Sequence, residues 1–402
     1  MGGIMGGIRS GAQGITGKLA GAALLALASS QASAACEALA HKHFGSTEVA
    51  SATVVPAGGF TLPAGTPGAA NAALAKLPAF CRLQAVGKPS GDSEIGIEIW
   101  LPEGNWNGRL LAVGNGAWAG VLSYGALADA VAAGYAAVST NTGHVGNNVD
   151  FSVGHPEKLV DFAYRAVHEM TLAAKAAVEA NYTRRADKAY FSGCSTGGRQ
   201  ALAEAQRYPN DFDGIIAGAP AYYPTHIQGT QVYTAAVNAN SAMPLGQPEF
   251  DVLNDGVVAM CDAKDGVKDG VIENPRACGF DPASLVCGSG KTSACLTAGQ
   301  AEVAKLTYRG PADKNGRPIF PGVSPGSERG WRTLSADKPL SLAFDTYAQL
   351  VFNDPHWDFR TFDAARDIPT GVTRIGKLMD SADPDLSAFI RSEEHTSESS
   401  HT

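Results

Sequence analysis

The chain has 402 residues, 45% hydrophobic and 17% charged, enough for a sizeable core built as one domain with an insertion or as two domains. A formal net charge of −8 leaves no basic footprint for nucleic acid, and it also disfavours an acidic polymer as substrate.

Residues 1–34 read as a secretory signal peptide. Arg9 and Lys18 are the only charges before Cys36, Leu19 to Ala28 is a short apolar run, and Ala32-Ser33-Ala34 supplies an A-x-A cleavage site. The run is too short for a membrane span, and no later stretch is long and apolar enough to be one. A lipoprotein would need Cys36 as acceptor, but Ser33 stands where a leucine-like residue belongs. The mature protein is therefore expected to be secreted or periplasmic. Seven cysteines (Cys36, Cys81, Cys194, Cys261, Cys278, Cys287 and Cys295) suit that oxidising compartment. They form no C-x-x-C pair, which argues against zinc ribbons and redox motifs, and their odd number leaves one thiol without a partner.

Residues 35–222 are expected to form the core. Up to Phe80 they are rich in Ala, Gly, Thr and Pro with little periodicity, which predicts an irregular leading segment. Cys81 to Val86 and Glu94 to Trp100 then alternate apolar and polar, as antiparallel strands do. Arg109 to Val113 is a buried strand running into the glycine-rich loop Gly114–Gly120, and Tyr135 to Thr140 is a strand ending in Asn141-Thr142-Gly143-His144. Lys158 to Asn181 predicts a long amphipathic helix, followed by the strand Lys188 to Ser192, a second helix from Arg199 to Gln206, and the strand Phe212 to Ala217. Alternating short apolar strands and helices define an open α/β sheet, whose ligand site belongs at the carboxyl ends of its strands.

One of those ends is Gly193-Cys194-Ser195-Thr196-Gly197-Gly198, which contains the Gly-x-Ser-x-Gly pattern of a nucleophile elbow between a strand and a helix. Small neighbours are needed because the serine sits on a strained turn, and the following helix aims its N–H groups at developing negative charge. Without its flanking strand and helix the pattern would equally describe a glycine-rich turn with a solvated serine.

Residues 223–372 hold most of the remaining aromatics and four cysteines with few strand signals, which predicts an inserted lid domain. Within it, Asp262, Asp265 and Asp269 place three carboxylates in a glycine-containing loop between Cys261 and Cys278. Hard oxygen ligands of this kind suit Ca²⁺, although the spacing is not that of an EF-hand and, standing alone, the loop reads equally as a solvated acidic turn. Residues 373–390 look like the start of a return to the core. Residues 391–402 contain no apolar side chain, cannot complete a sheet, and are expected to be a tail foreign to the fold.

The cysteine directly before Ser195 and the clamped acidic loop together make the chain, from about Cys36 to Phe389, resemble the tannase and feruloyl esterase family, which includes the mono(hydroxyethyl) terephthalate hydrolase branch. The resemblance implies an α/β-hydrolase sheet with an inserted lid domain, here with the C-terminal core strands missing. It implies structural Ca²⁺ held by the side chains of Asp262, Asp265 and Asp269 and the carbonyls of Val267 and Val271. It implies the disulfides Cys36–Cys81, Cys261–Cys278 and Cys287–Cys295. Cys194 is left unpaired, because its family partner follows a catalytic histidine that this chain does not reach.

The implied chemistry is acyl transfer: Ser195 attacks an ester carbonyl, with oxyanion donors from the backbone N–H of Thr196 and, from the glycine-rich loop, Gly116. The implied substrate is a small ester of an aromatic acid of feruloyl, galloyl or terephthaloyl type, or a substrate derived from a plant polymer. The family's Asp and His follow the lid, so the chain as written is expected to lack them and to be inactive. His356 and His226 are the plausible internal histidines, and each reads better as a pocket or packing residue, as does His144. His41, His43, His155 and His168 have no supporting context. The competing expectations are a calcium-stabilised extracellular binding protein on the same scaffold and another serine hydrolase, such as a peptidase.

Overall fold

The computed structural model describes residues 34–64, 66, 74–290, 292–334 and 338–397. The expected signal peptide and the last five residues lie outside them, apart from Ala34. Eight strands form one mixed sheet: β1 (His43–Phe44), β2 (Thr47–Val55), β3 (Phe80–Gly87), β4 (Ile95–Pro102), β5 (Arg109–Val113), β6 (Ala136–Thr140), β7 (Lys188–Cys194) and β8 (Gly214–Gly218). Their spatial order is β1-β2-β3-β4-β6-β5-β7-β8. β6, β5, β7 and β8 run parallel, whereas β4, β3, β2 and β1 continue the sheet by antiparallel pairing. This is the mixed sheet of an α/β-hydrolase.

The leading segment is regular in part, whereas its described residues after Val55 hold only the short helical turn Leu74–Lys76. Residues 47–55 form a nine-residue strand that pairs along β3, with Val49 and Ala52 buried. Its Thr, Ala and Val side chains are small, so the alternation is too weak to stand out by hydrophobicity. Pairing with β3 and the Cys36–Cys81 disulfide supply what the side chains do not.

The central strands are buried on both faces, as parallel strands covered by helices must be. On one face, Leu83, Ile97, Ile99, Leu110, Val138 and Phe191 pack against the alanine-rich side of the helix Ala166–Tyr182. On the other, Phe80 and Trp100 pack with Tyr124 and Leu127 of the helix Tyr124–Ala132. Burying each large apolar side chain is worth about 1.5–3 kcal/mol.

The expected helix from Lys158 to Asn181 is interrupted. Pro156–Val160 is α-helical, Asp161–Arg165 is a π turn, and the α-helix resumes at Ala166. The wide turn frees backbone carbonyls. Those of Ala163 and Phe162 accept from the buried guanidinium of Arg199 at 2.6 and 3.2 Å.

After β8 the described residues form helices and loops, with no further strand. The helix Pro224–Ala239 leads this region. Val232 packs with Tyr347, Val351 and Ile375, and the same cluster reaches Trp118 in the glycine-rich loop. A second cluster, around Phe250, Leu253, Leu296 and Trp331, lies in the outer part of the region. The described residues end in a helix, Ser387–Ser397, that runs across Arg391, where the foreign tail is expected to begin. It starts where Asp385 accepts the Ser387 N–H at 2.9 Å, and it meets no Gly or Pro to stop it. Ser392 Oγ donates to Pro209 O at 2.8 Å.

Candidate active site

The sheet delivers its site at the carboxyl ends of the four parallel strands. A non-glycine residue with positive φ follows each of them: Ala117 (46°) after β5, Thr142 (58°) after β6, Ser195 (59°) after β7 and Ala219 (34°) after β8. Such conformations cost roughly 1–3 kcal/mol each and persist only where the surroundings over-determine them.

Ser195 has φ 59° and ψ −115° and caps the helix Thr196–Arg207. Its N–H donates to Gly218 O at 3.0 Å, and its carbonyl accepts from Ala221 N at 3.0 Å and Arg199 N at 3.1 Å. The glycines of the motif are there for contact. A Cβ on Gly193 would lie 2.5 Å from Gly197 C, and one on Gly198 would lie 2.5 Å from Gly218 O. On Gly197 it would meet Asn115 O at 3.0 Å. Strand, helix and glycine-rich loop therefore touch backbone to backbone around the serine.

The loop Gly114–Gly120 is tied to the elbow by side chains that the motif did not reveal. Gln200, fully buried, accepts from Asn115 N at 3.0 Å and donates to Asn115 Oδ1 at 3.2 Å. Asn115 Nδ2 donates in turn to Val121 O at 3.0 Å and Thr140 O at 2.8 Å, joining both ends of the loop to the end of β6. Thr196 Oγ1 donates to Ala117 O at 3.0 Å. The N–H of Asn115 is thus occupied, while the N–H groups of Thr196, at the start of the helix, and of Gly116 have no partner among the described residues. Gly116 has open space around it, with nothing within 4 Å of a Cβ placed there. The sequence signal for Asn115 and Gln200 was present: polar residues in a glycine loop and one turn after the serine of the elbow motif.

None of the histidines bonds to Ser195 among the described residues. His144 is buried between the two loops, with Nε2 2.6 Å from Trp118 O, Nδ1 3.3 Å from Thr142 Oγ1 and its ring stacked on Phe151 at 3.8 Å. Burial holds its pKa below the ordinary histidine value. His226, also lowered by burial, contacts Thr225 Oγ1 at 2.9 Å and lies against Tyr223. His356 is exposed and lines an 840 Å³ cleft with Phe344, Trp357 and Asn238. His155 pairs with Asp92, and His168 with Asp211. His41 and His43 lie at the start of the sheet, around β1.

Three disulfides close, Cys36–Cys81, Cys261–Cys278 and Cys287–Cys295, while Cys194 is free and exposed. In the acidic loop, Asp262 accepts from Asp269 N and Gly270 N, Asp265 from Val267 N, and Asp269 from Val271 N, at 2.9–3.3 Å. No Lys or Arg pairs with these carboxylates among the described residues, and the donors are all hard oxygens, so their chemistry fits Ca²⁺. The three are nevertheless not as converged as His168, Glu204 and Asp211, whose donor atoms lie within 4.8 Å of one another.

Mixed sheet, strained serine elbow and converging loops define the class as an α/β-hydrolase. The family profile "Tannase and feruloyl esterase" matches residues 81–394. An uncharacterized esterase of Xanthomonas campestris is 38% identical over 386 residues, covering 90% of this chain and 66% of its own length. A probable feruloyl esterase B-2 of Aspergillus terreus is 34% identical over 369 residues, covering 89% and 69%. The crystal structure of feruloyl esterase B from Aspergillus oryzae superposes with a TM-score of 0.83 at 31% identity, over 90% of this chain and 73% of that one. The chain belongs to the tannase and feruloyl esterase family. It spans about two thirds of the length of these curated relatives, and 59% of a related protein from Neosartorya fischeri. No helix among the described residues is long and apolar enough to cross a membrane.

Proposed function

We propose that Ser195 is the nucleophile of a carboxylic ester hydrolase acting on esters of aromatic acids of feruloyl, galloyl or terephthaloyl type. The observation that carries this is the strained Ser195 at a strand-to-helix turn, with the N–H groups of Thr196 and Gly116 left without partners among the described residues. Ser195 Oγ attacks the ester carbonyl, the two N–H groups receive the oxyanion, the alcohol leaves, and water releases the acid.

The proton acceptor for Ser195 and its orienting acid belong, in this reading, to sequence beyond this chain. β8 supports it: none of its five residues is buried, Ile216 is 67% exposed, and its outer edge pairs with nothing among the described residues. Strands added there would bring their loops beside Ser195, whose N–H already bonds Gly218 at the end of β8. A histidine followed by cysteine on such a loop would also supply the partner of Cys194. Residues 223–372 serve as the lid that selects the substrate. Ca²⁺ on Asp262, Asp265, Asp269 and the carbonyls of Val267 and Val271 would draw the acidic loop together, and the protein would act outside the cytoplasm.

The test compares the 402-residue chain with a chain extended to the relatives' length, on methyl ferulate, methyl gallate and mono(hydroxyethyl) terephthalate. The extended chain should turn over at least one ester and lose turnover with Ser195→Ala, while the 402-residue chain shows none. Turnover by the 402-residue chain that depends on Ser195 would place the base inside it. Faster cleavage of matched amides would make the protein a peptidase, and ligand binding without turnover would make it a binding protein.

A further inference from the structure

A second cluster of titratable groups lies where the elbow helix ends, nine residues after Ser195, or ~13 Å by helical rise. Glu204 stands on the helix Thr196–Arg207, Asp211 on the turn after it, and His168 on the long helix Ala166–Tyr182. Their donor atoms fall within 4.8 Å of one another. His168 Nδ1 lies 2.6 Å from Asp211 Oδ2, and the His168 ring stacks on Tyr208 at 3.8 Å. Glu204 is fully buried, and among the described residues neither of its carboxylate oxygens meets a hydrogen-bond donor.

A carboxylate buried without a donor is too costly to keep ionised. It becomes compatible with its surroundings by carrying a proton and donating it, and Asp211 is the acceptor at hand. The other facing groups do not supply the missing donor. Lys175 on the long helix directs Nζ to Asn210 O at 3.3 Å, and Arg207, Tyr164 and the Tyr208 hydroxyl lie around the cluster. A divalent ion is the other occupant that such a ligand set admits. However, the 2.6 Å contact between His168 and Asp211 is a hydrogen bond, closer than the ~3 Å that separates neighbouring ligands around one ion.

We propose that Glu204 and Asp211 hold one proton between them in the folded protein, Glu204 donating to an Asp211 carboxylate that also accepts from His168 Nδ1–H, and that this buried proton site fastens the end of the elbow helix to the long helix. Burial first, then the Asp211 charge, raises the Glu204 carboxyl well above its ordinary range. The sign follows. Glu204 is neutral when folded and ionised when unfolded, so its stabilisation is complete below the unfolded carboxyl value and is lost progressively as pH rises toward the folded value. Within that window each pH unit raises the unfolding constant about tenfold.

The test is urea unfolding of the 402-residue chain between pH 5.5 and 8.5, for wild type and Glu204→Gln. The glutamine amide keeps the shape and the donor to Asp211 but carries no titrating proton. The unfolding constant of wild type should rise about tenfold more per pH unit than that of Glu204→Gln. Asp211→Asn, which offers an amide donor to Glu204, should also flatten the profile and gives a second folded variant to compare. Equal slopes in wild type and Glu204→Gln would overturn the proposal. So would a rise in Tm with micromolar Zn²⁺ or Mn²⁺ in wild type that is absent in Glu204→Gln, since that would assign the site to a metal.

Discussion

The elbow and the Asp262–Val271 loop are both written in glycine and short polar residues, and they are held in opposite ways. At the elbow the glycines are needed for close contact, since a Cβ on Gly193 or Gly198 would reach backbone atoms at 2.5 Å. In the acidic loop, Gly266 and Gly270 have φ of 96° and 80° and meet nothing within 4 Å, so they serve only the turn. The elbow is clamped by three other segments. The loop is held by its own aspartates and one disulfide, and Val267 and Val271 are more than half exposed. The geometry of the elbow is fixed by packing, whereas the acidic loop has little packing of its own and is held by a covalent clamp.

The largest effect that would separate the two regions comes from adding a methyl group to each. Gly198→Ala should cost about 3 kcal/mol or more, or abolish folding, because the clash is with backbone that cannot move aside. Gly266→Ala should cost only about 1 kcal/mol, the penalty of its left-handed conformation. Similar losses in a urea titration would erase the distinction. Next is Gln200→Leu, which leaves the Asn115 N–H and Oδ1 unsatisfied in a buried site. It should cost about 2–3 kcal/mol and lower kcat more than KM in the extended enzyme. A loss of stability with kcat unchanged would leave Gln200 a structural role only. Opening the Cys261–Cys278 clamp with Cys261→Ser and Cys278→Ser should cost about 2 kcal/mol and remove any stabilisation by Ca²⁺, while leaving the Ser195 site intact. A Ca²⁺-dependent Tm that survives in this variant would show that the clamp is not what shapes the loop.

The smallest effect concerns the seam between the core and the residues that return to it. Asp380 accepts from Thr225 N and Oγ1 at 3.1 and 2.8 Å, and burial, opposed by those bonds and by Arg199, raises its carboxyl to about 6. Its folded value lies above its unfolded one, so its contribution to stability is present at low pH and is lost as pH rises through about 6. Asp380→Asn should flatten the profile between pH 4 and 7 by a few degrees in Tm. An unchanged profile would show that Asp380 is ionised throughout.

The parallel strands, the long helix and the elbow were legible because each repeats a local rule: short apolar runs, a helical period, and glycine around a serine. β2 was not, because Thr, Ala and Val alternate without much contrast and the strand exists through its pairing with β3. The π turn was hidden for a related reason. Asp161–Arg165 fits an ordinary helical pattern, and only the demand of Arg199 for two carbonyls, across 36 and 37 residues of chain, marks it out. Asn115 and Gln200 were visible as residues but not as a pair, since 85 positions separate them.

The sequence by itself determined the nucleophile candidate, the strand-and-helix alternation and the acidic loop, because each depends on residues within about one turn of one another. Tertiary structure alone decided that four strained residues end four adjacent strands, that Gln200 and Thr196 hold the glycine-rich loop against the elbow, and that the buried Glu204 and Asp211 meet the partly buried His168. Those facts depend on which distant segments the sheet brings into contact, and on how strongly burial penalises a polar group left alone there.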